Sequence, residues 1–365
     1  MLPRATLVLW LLGPASALSP AEGPCDILVA AGNPCVAAHS TVRALYGSYA
    51  GHLYQVARPN HETADVGVLE AGGFADIAAH EKFCAAGDCV IKIVYDQSPK
   101  GNHLGQRISN GVVHKMVNAS RHRIGVRGGA EVFGMWFDPG HGYHVDNTTG
   151  VAKGNDPESI FAVMSGKRYN EHCCFDYGNS EDTMTAGKDY GCGAMEAIYF
   201  GDSRWVPHAP WTAPDGNRGH GNGPWVGADL EAGMYYGGGN RTRVNEQSTP
   251  LTSEFVSLSL KGRADGFTLK GGDATQGALK TMYDGPRPDK KIAADCGDTY
   301  HYQPMRKQGA IILATGGDNS NGAEGNFYEG FMASGYASET TDAAVQANIV
   351  AVGYRALSAT PVVLV

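Results

Sequence analysis

The residues best suited to bond chemistry lie in Gly223-Pro-Trp-Val-Gly-Ala-Asp-Leu-Glu-Ala-Gly-Met234. Alternation along a strand sets Trp225, Gly227, Asp229 and Glu231 on one face. Val226, Ala228 and Leu230 then fall on the other, apolar and small enough to pack into a core. Two carboxylates at i, i+2 on one face repel each other, so the pattern is either a solvated strand face or a site that needs both acids. A further acid, Asp318, stands in Gly316-Gly-Asp-Asn-Ser-Asn-Gly322, directly after the apolar run 310–313. A glycine-rich turn at a strand end can bring its backbone close to a ligand, and the same residues also suit a plain Asx turn. As a calcium loop the segment fails, because it lacks the oxygen ligand and the downstream glutamate of an EF-hand. The third feature is Cys173-Cys174. Adjacent cysteines usually bond to two different partners; a bond between the neighbours themselves closes a strained ring, a stiff apolar surface useful under a sugar.

Strands must do most of the positioning. Apolar runs at 90–95, 132–137, 159–164, 195–200, 255–260, 267–270, 310–313 and 326–332 are separated mostly by clusters of Gly, Asn, Asp and Pro. Helical spacing predicts one short helix over 40–49 and an amphipathic helix over 341–354, with Val345, Ile349 and Val352 on one face. The long irregular segment 201–223 carries Trp205 and Trp211. Aromatics of that kind are unusual in a linker, which favours an active-site loop. No repeat of 20–50 residues is visible. The pattern is that of an all-β sandwich in one domain.

The bulk properties narrow the partners. Arg4 followed by a short apolar stretch and Ala15-Ser16-Ala17 reads as a signal peptide over 1–17, with the mature chain starting near Leu18 and the protein secreted. The apolar stretch is too short to span a bilayer. Eight cysteines (25, 35, 84, 89, 173, 174, 192 and 296) in such a chain imply disulfides, and none has the paired spacing of a structural zinc site. Sequons at Asn118, Asn147 and Asn240 fit a glycosylated surface. A net charge of −8 and a pI near 5.9 argue against nucleic acid and anionic membranes as partners.

Several long motifs then coincide. Cys173-Cys-Phe-Asp-Tyr-Gly-Asn179, Met195-Glu-Ala-Ile-Tyr199, Trp225 through Glu231, Gly316 through Gly322 and Phe327-Tyr-Glu-Gly330 resemble glycoside hydrolase family 54, the secreted α-L-arabinofuranosidases of the fungal B type. Gly23-Pro-Cys-Asp26, Pro34 through Ser40 and Tyr95-Asp-Gln-Ser98 agree, so the resemblance covers the chain up to about Tyr354. It implies a concanavalin A-like β-sandwich (jelly roll) over 18–355 that removes terminal arabinofuranose with retention of configuration from arabinan or arabinoxylan. It further implies Glu231 as nucleophile, Asp318 as acid/base and Asp229 on a sugar hydroxyl. Met195, Trp205, Gly317 and a Cys173–Cys174 ring would shape the pocket, with Cys25–Cys35 and Cys84–Cys89 bridged. The expected mechanism needs no metal or organic cofactor, and the expected partner is a plant cell-wall polysaccharide or oligosaccharide acted on by a monomer. A non-catalytic, lectin-like sandwich is the alternative reading. Three departures stand out. Residues 356–365 are expected to form a short C-terminal tail without the family's common arabinose-binding domain, Ala232 and Ala194 stand where an amide and a histidine are expected, and Cys192 and Cys296 are extra and by elimination could pair.

Overall fold

The computed structural model describes residues 22–109, 111–182, 192–204, 217–231, 233–237, 244–288 and 302–357. Two antiparallel sheets of nine and ten strands dominate. The first runs Lys280–Pro286, Gly266–Asp273, Val256–Arg263, Glu158–Met164, Gly325–Ser334, Glu131–Phe137, His122–Gly125 and Arg355–Ala356, with Cys35–Ser40 also paired to Gly325–Ser334. The second runs Met234–Tyr235, Trp225–Asp229, Glu196–Gly201, Asp176–Ser180, Ala310–Leu313, Tyr143–Val145, Leu104–Gln106, Val90–Val94, His52–Ala57 and Thr63–Gly67. They form a β-sandwich: Glu196–Gly201 and Trp225–Asp229 lie against Glu158–Met164, Val256–Arg263 and Gly266–Asp273. Every apolar run expected from the sequence forms a strand, with ends shifted by a few residues.

Period-2 alternation explains the packing. Val226, Ala228 and Leu230 reach the main core beside Ile198, Phe200 and Tyr177, while Trp225, Tyr199 and Cys174 form a separate cluster on the other face. Each fully buried aliphatic or aromatic side chain contributes about 1.5–3 kcal/mol of transfer free energy. Charge is buried here too. Lys307 Nζ donates to Glu196 Oε2 at 2.7 Å and meets Glu158 Oε1 at 3.0 Å, while Arg287 Nη2 donates to Glu196 Oε1 at 3.0 Å.

The expected helix over 40–49 is absent. Ser40 ends a strand, and its Oγ accepts the backbone N–H groups of Val42 and Arg43 at 3.0 and 3.1 Å. Arg43 is drawn into a buried pair with Glu329, and Leu45 N–H donates to Gln97 Oε1. Such local and long-range bonds compete directly with a helical ladder. Two helices form instead where periodicity was too short to read. Pro24–Ala30 is started by Pro24 and by Asp26, which accepts from Gly23 N–H at 2.8 Å; Ile77–Cys84 is capped by Asp76. The C-terminal helix is Glu339–Val350, capped by Ser338 and buried through Val345 and Ile349. Lys261 and Lys270 of the first sheet both reach its Asp342 at 2.6 Å. Among the described residues no helix is long and apolar enough to cross a membrane.

Disulfides join Cys25 to Cys35, Cys84 to Cys89 and Cys173 to its neighbour Cys174. Cys192 is also disulfide-bonded, and Cys296 lies outside the described residues. Asn147 is exposed and Asn118 half-buried, whereas Asn240 lies outside the described residues.

Candidate active site

The strand Trp225–Asp229 ends two residues before Glu231. The continuous strand expected through Glu231 is therefore corrected: Glu231 sits on the turn leading to Met234–Tyr235, with φ of 57°. A β-carbon makes this left-handed region costly, so the surroundings must hold the residue there. Asp229 does part of that, its Oδ1 accepting the Glu231 N–H at 2.9 Å. The i, i+2 acids thus divide their work: Asp229 is 3% exposed and braces the turn, and Glu231 is half-buried.

The loop after Ala310–Leu313 brings Asp318 to the same place by folding back over the sheet. Ala314 N–H still donates to Asp176 O at 2.8 Å, and the chain then reverses with φ of 58° at Ala314 and 76° at Asn319. A β-carbon on Gly316 would lie 3.0 Å from Cys174 Sγ, and one on Gly317 would lie 2.6 Å from the Glu181 carboxyl carbon. The loop therefore lies across the strand Asp176–Ser180, from Cys174 two residues before it to Glu181 just after it, and needs glycine to come so close. Asp318 makes the Asx turn that its setting allowed, Oδ1 accepting the Ser320 N–H at 2.8 Å, and its side chain also lines the cavity.

That cavity, about 190 Å³, is lined by Cys173, Cys174, Asp229, Glu231, Gly316, Gly317, Asp318 and Ser320. Its polar groups are carboxylates, a hydroxyl and backbone, and its apolar wall is the Cys173–Cys174 disulfide. Cys173, Cys174 and Asp229 are close enough together to suggest a metal. Sulfurs bonded to each other cannot serve as the thiolate ligands such a site uses. Met195 is buried with Ala197 and Ile312 rather than lining the cavity. Trp205 lies outside the described residues, as does most of the segment 201–223.

Two acids that sequence reasoning missed complete the cluster. Asp176 is fully buried, and its carboxyl is held well above the usual range, first by burial and then by the charge of Asp229. Glu181, 4% exposed, is pushed up to about 7 by burial and by Asp229, and it hydrogen-bonds Glu231. Asp229 itself is pushed up to about 7 by burial, with the charge of Asp318 adding to the rise. Burial disfavours each charged form, and neighbouring carboxylates disfavour it further. The signal for Asp176 was there to read, since it shares a strand face with Cys174 inside the double-cysteine motif, whereas Glu181 lies beyond that motif and carried none. Carboxyls whose proton affinity is raised by burial and by one another can exchange protons in the range where acid/base chemistry runs.

Comparison with known proteins agrees with this geometry. The model of the alpha-L-arabinofuranosidase B catalytic family matches residues 24–355. The alpha-L-arabinofuranosidase B of Aspergillus oryzae is 44% identical over 353 residues, covering 95% of this chain and 65% of that protein. The alpha-L-arabinofuranosidase of Hypocrea jecorina is 43% identical over 340 residues, covering 92% and 63%. This chain thus spans a little under two thirds of the length of these relatives. A solved family 54 α-L-arabinofuranosidase soaked with a cyclic sulfate inhibitor superposes with a TM-score of 0.83 at 42% identity, over 92% of this chain and 66% of that one. An arabinofuranosidase complexed with arabinofuranosyl-α-1,2-xylobiose gives 0.83 at 41%, with the same coverage. On a match that takes in nearly the whole sequence and nearly the whole fold, the chain belongs to the catalytic family of alpha-L-arabinofuranosidase B, glycoside hydrolase family 54.

Proposed function

We propose that this protein is an exo-acting, retaining α-L-arabinofuranosidase that removes terminal arabinofuranosyl groups from arabinan or arabinoxylan. The observation that carries the reading is a small cavity into which two separate segments bring Glu231 and Asp318 beside a disulfide wall. Its volume suits one sugar ring rather than an extended chain, which is the exo requirement. In the first step a Glu231 oxygen attacks the anomeric carbon as the glycosidic bond breaks, and Asp318 gives its proton to the departing oxygen. In the second, Asp318 takes a proton from water, the water oxygen attacks the same carbon and Glu231 leaves. Two inversions give net retention. Asp229 is assigned to a sugar hydroxyl, and the Cys173–Cys174 disulfide, Gly317 and Trp205 to the walls of the pocket, with Met195 packed beside Ala197 and Ile312 rather than on the cavity surface. The xylobiose-linked arabinofuranoside bound by a relative suggests an arabinose side chain on xylose as one substrate. Disulfides, three of them between described residues, support a secreted protein, with Asn147 the more exposed of the two described sequons.

The test is hydrolysis of an aryl α-L-arabinofuranoside followed by proton NMR. Initial release of the α-anomer is expected. Initial β-anomer would overturn the double displacement, and binding without release would favour a lectin.

A further inference from the structure

Arg107 is among the largest fully buried side chains of the protein, at 1% exposure. Its backbone is fixed on both sides, the N–H donating to Gly142 O at 3.1 Å and the carbonyl accepting from His114 N–H at 3.0 Å. From there the guanidinium reaches the acid-bearing loop. Nε donates to Asn319 Oδ1 at 2.9 Å, and Nη2 donates to Gly317 O at 2.5 Å. These are the two residues on either side of Asp318. Four carboxylates lie within its electrostatic reach, Glu181, Asp146, Asp318 and Glu231, and His114 also feels its charge.

We propose that Arg107 is the positioning residue for Asp318: its two donors clamp the loop at residues 317 and 319 so that the intervening carboxyl meets the glycosidic oxygen in a fixed place. The proposal rests on the acid/base reading of Asp318. A loop with left-handed backbone at Ala314 and Asn319 is not held by its own torsional preferences, and small misplacements of a reacting group are costly. The planar guanidinium is pre-organised for two acceptors, which the point charge of lysine is not. Its positive charge also lies among carboxyls that would otherwise raise one another's proton affinity.

The test compares Arg107→Met, Arg107→Lys and Asn319→Gly on 4-nitrophenyl and methyl α-L-arabinofuranosides, with thermal melts to confirm folding. Asn319→Gly removes one acceptor of the clamp, leaves no charge unbalanced and suits the left-handed backbone. In kcat/KM, Arg107→Met should lose at least tenfold more on the methyl glycoside than on the nitrophenyl one, because only the former depends on protonation. Its alkaline pH limb should move to higher pH, as carboxyls keep their protons longer without the cation. Arg107→Lys should restore the limb more than the rate, and Asn319→Gly should show the same leaving-group selectivity with a smaller loss. Equal losses on both substrates with an unmoved limb would overturn the proposal. Should Arg107→Met fail to fold, Asn319→Gly decides alone: selectivity supports the clamp, and its absence sinks it. Failure of the underlying reading is separately visible, since Asp318→Asn would then itself show no leaving-group dependence.

Discussion

Glu231 and Asp318 reach the cavity from unlike backbones, and the difference bears on their roles. Glu231 is half-buried on a turn in the left-handed region, tied to Asp229 and hydrogen-bonded to Glu181. Asp318 is exposed on a loop whose turn engages only one of its oxygens directly with Ser320. A nucleophile needs one rigid line of attack, whereas an acid/base must serve a leaving group and then a water. Glu231→Gln should therefore abolish turnover on every arabinoside while leaving the thermal melt close to wild type. Asp318→Asn should cost roughly 10²–10⁴-fold on unactivated glycosides and far less on a nitrophenyl one, as measured by kcat/KM. Equal losses on both substrates would argue against an acid role for Asp318.

The strand Glu196–Gly201, paired between Asp176–Ser180 and Trp225–Asp229, is tied to the facing sheet by a buried ionic lattice. Glu196, at the start of Glu196–Gly201, is kept below the usual carboxylate range: burial pushes it up, but Lys307 and Arg287 outweigh that. Glu158 on the facing sheet is pushed up to about 7, chiefly by burial. Gly262 lies against the Glu196 carboxylate, and a β-carbon there would collide with it. Breaking such a pair leaves charge uncompensated in the interior, so Lys307→Met should cost roughly 3–5 kcal/mol in urea unfolding. A change below about 1 kcal/mol would show that the lattice is solvated in a way its burial does not suggest.

Across the whole molecule, two sets of buried groups tilt stability with pH in opposite directions. His80, His114 and His122 are each lowered to about 4, first by burial. Their contribution is present above the unfolded value near 6.5 and is lost as pH falls from there toward 4. The site carboxyls behave oppositely. Asp176, Glu181 and Asp229 are raised, the last two to about 7, so their contribution is present below the unfolded values near 4 and is lost as pH rises above them. Asp176→Asn should accordingly raise Tm, on the order of 2 °C at pH 7 and little at pH 4. A gain of the same size at both pH values would mean that the carboxyl is not titrating between them.

How much of this was legible follows from the range of the forces involved. Strand positions were readable because alternation and turn residues act over a few neighbours, as in Ala310–Leu313, found where its apolar run predicts. The double cysteine and the acids Asp229, Glu231 and Asp318 were readable as types and spacings. Local rules failed where a distant partner decided the outcome. Ser40 and the pair Arg43–Glu329 denied the 40–49 segment its helix, and Asp229 bent Glu231 off its strand. Arg107 carries no local signal at all, because its two acceptors lie more than two hundred residues away. The sequence by itself determined the class of fold and the chemical groups available. Only the tertiary structure decided which carboxyls share one cavity and how their protons are held, because burial and charge proximity are properties of packing that no local spacing encodes.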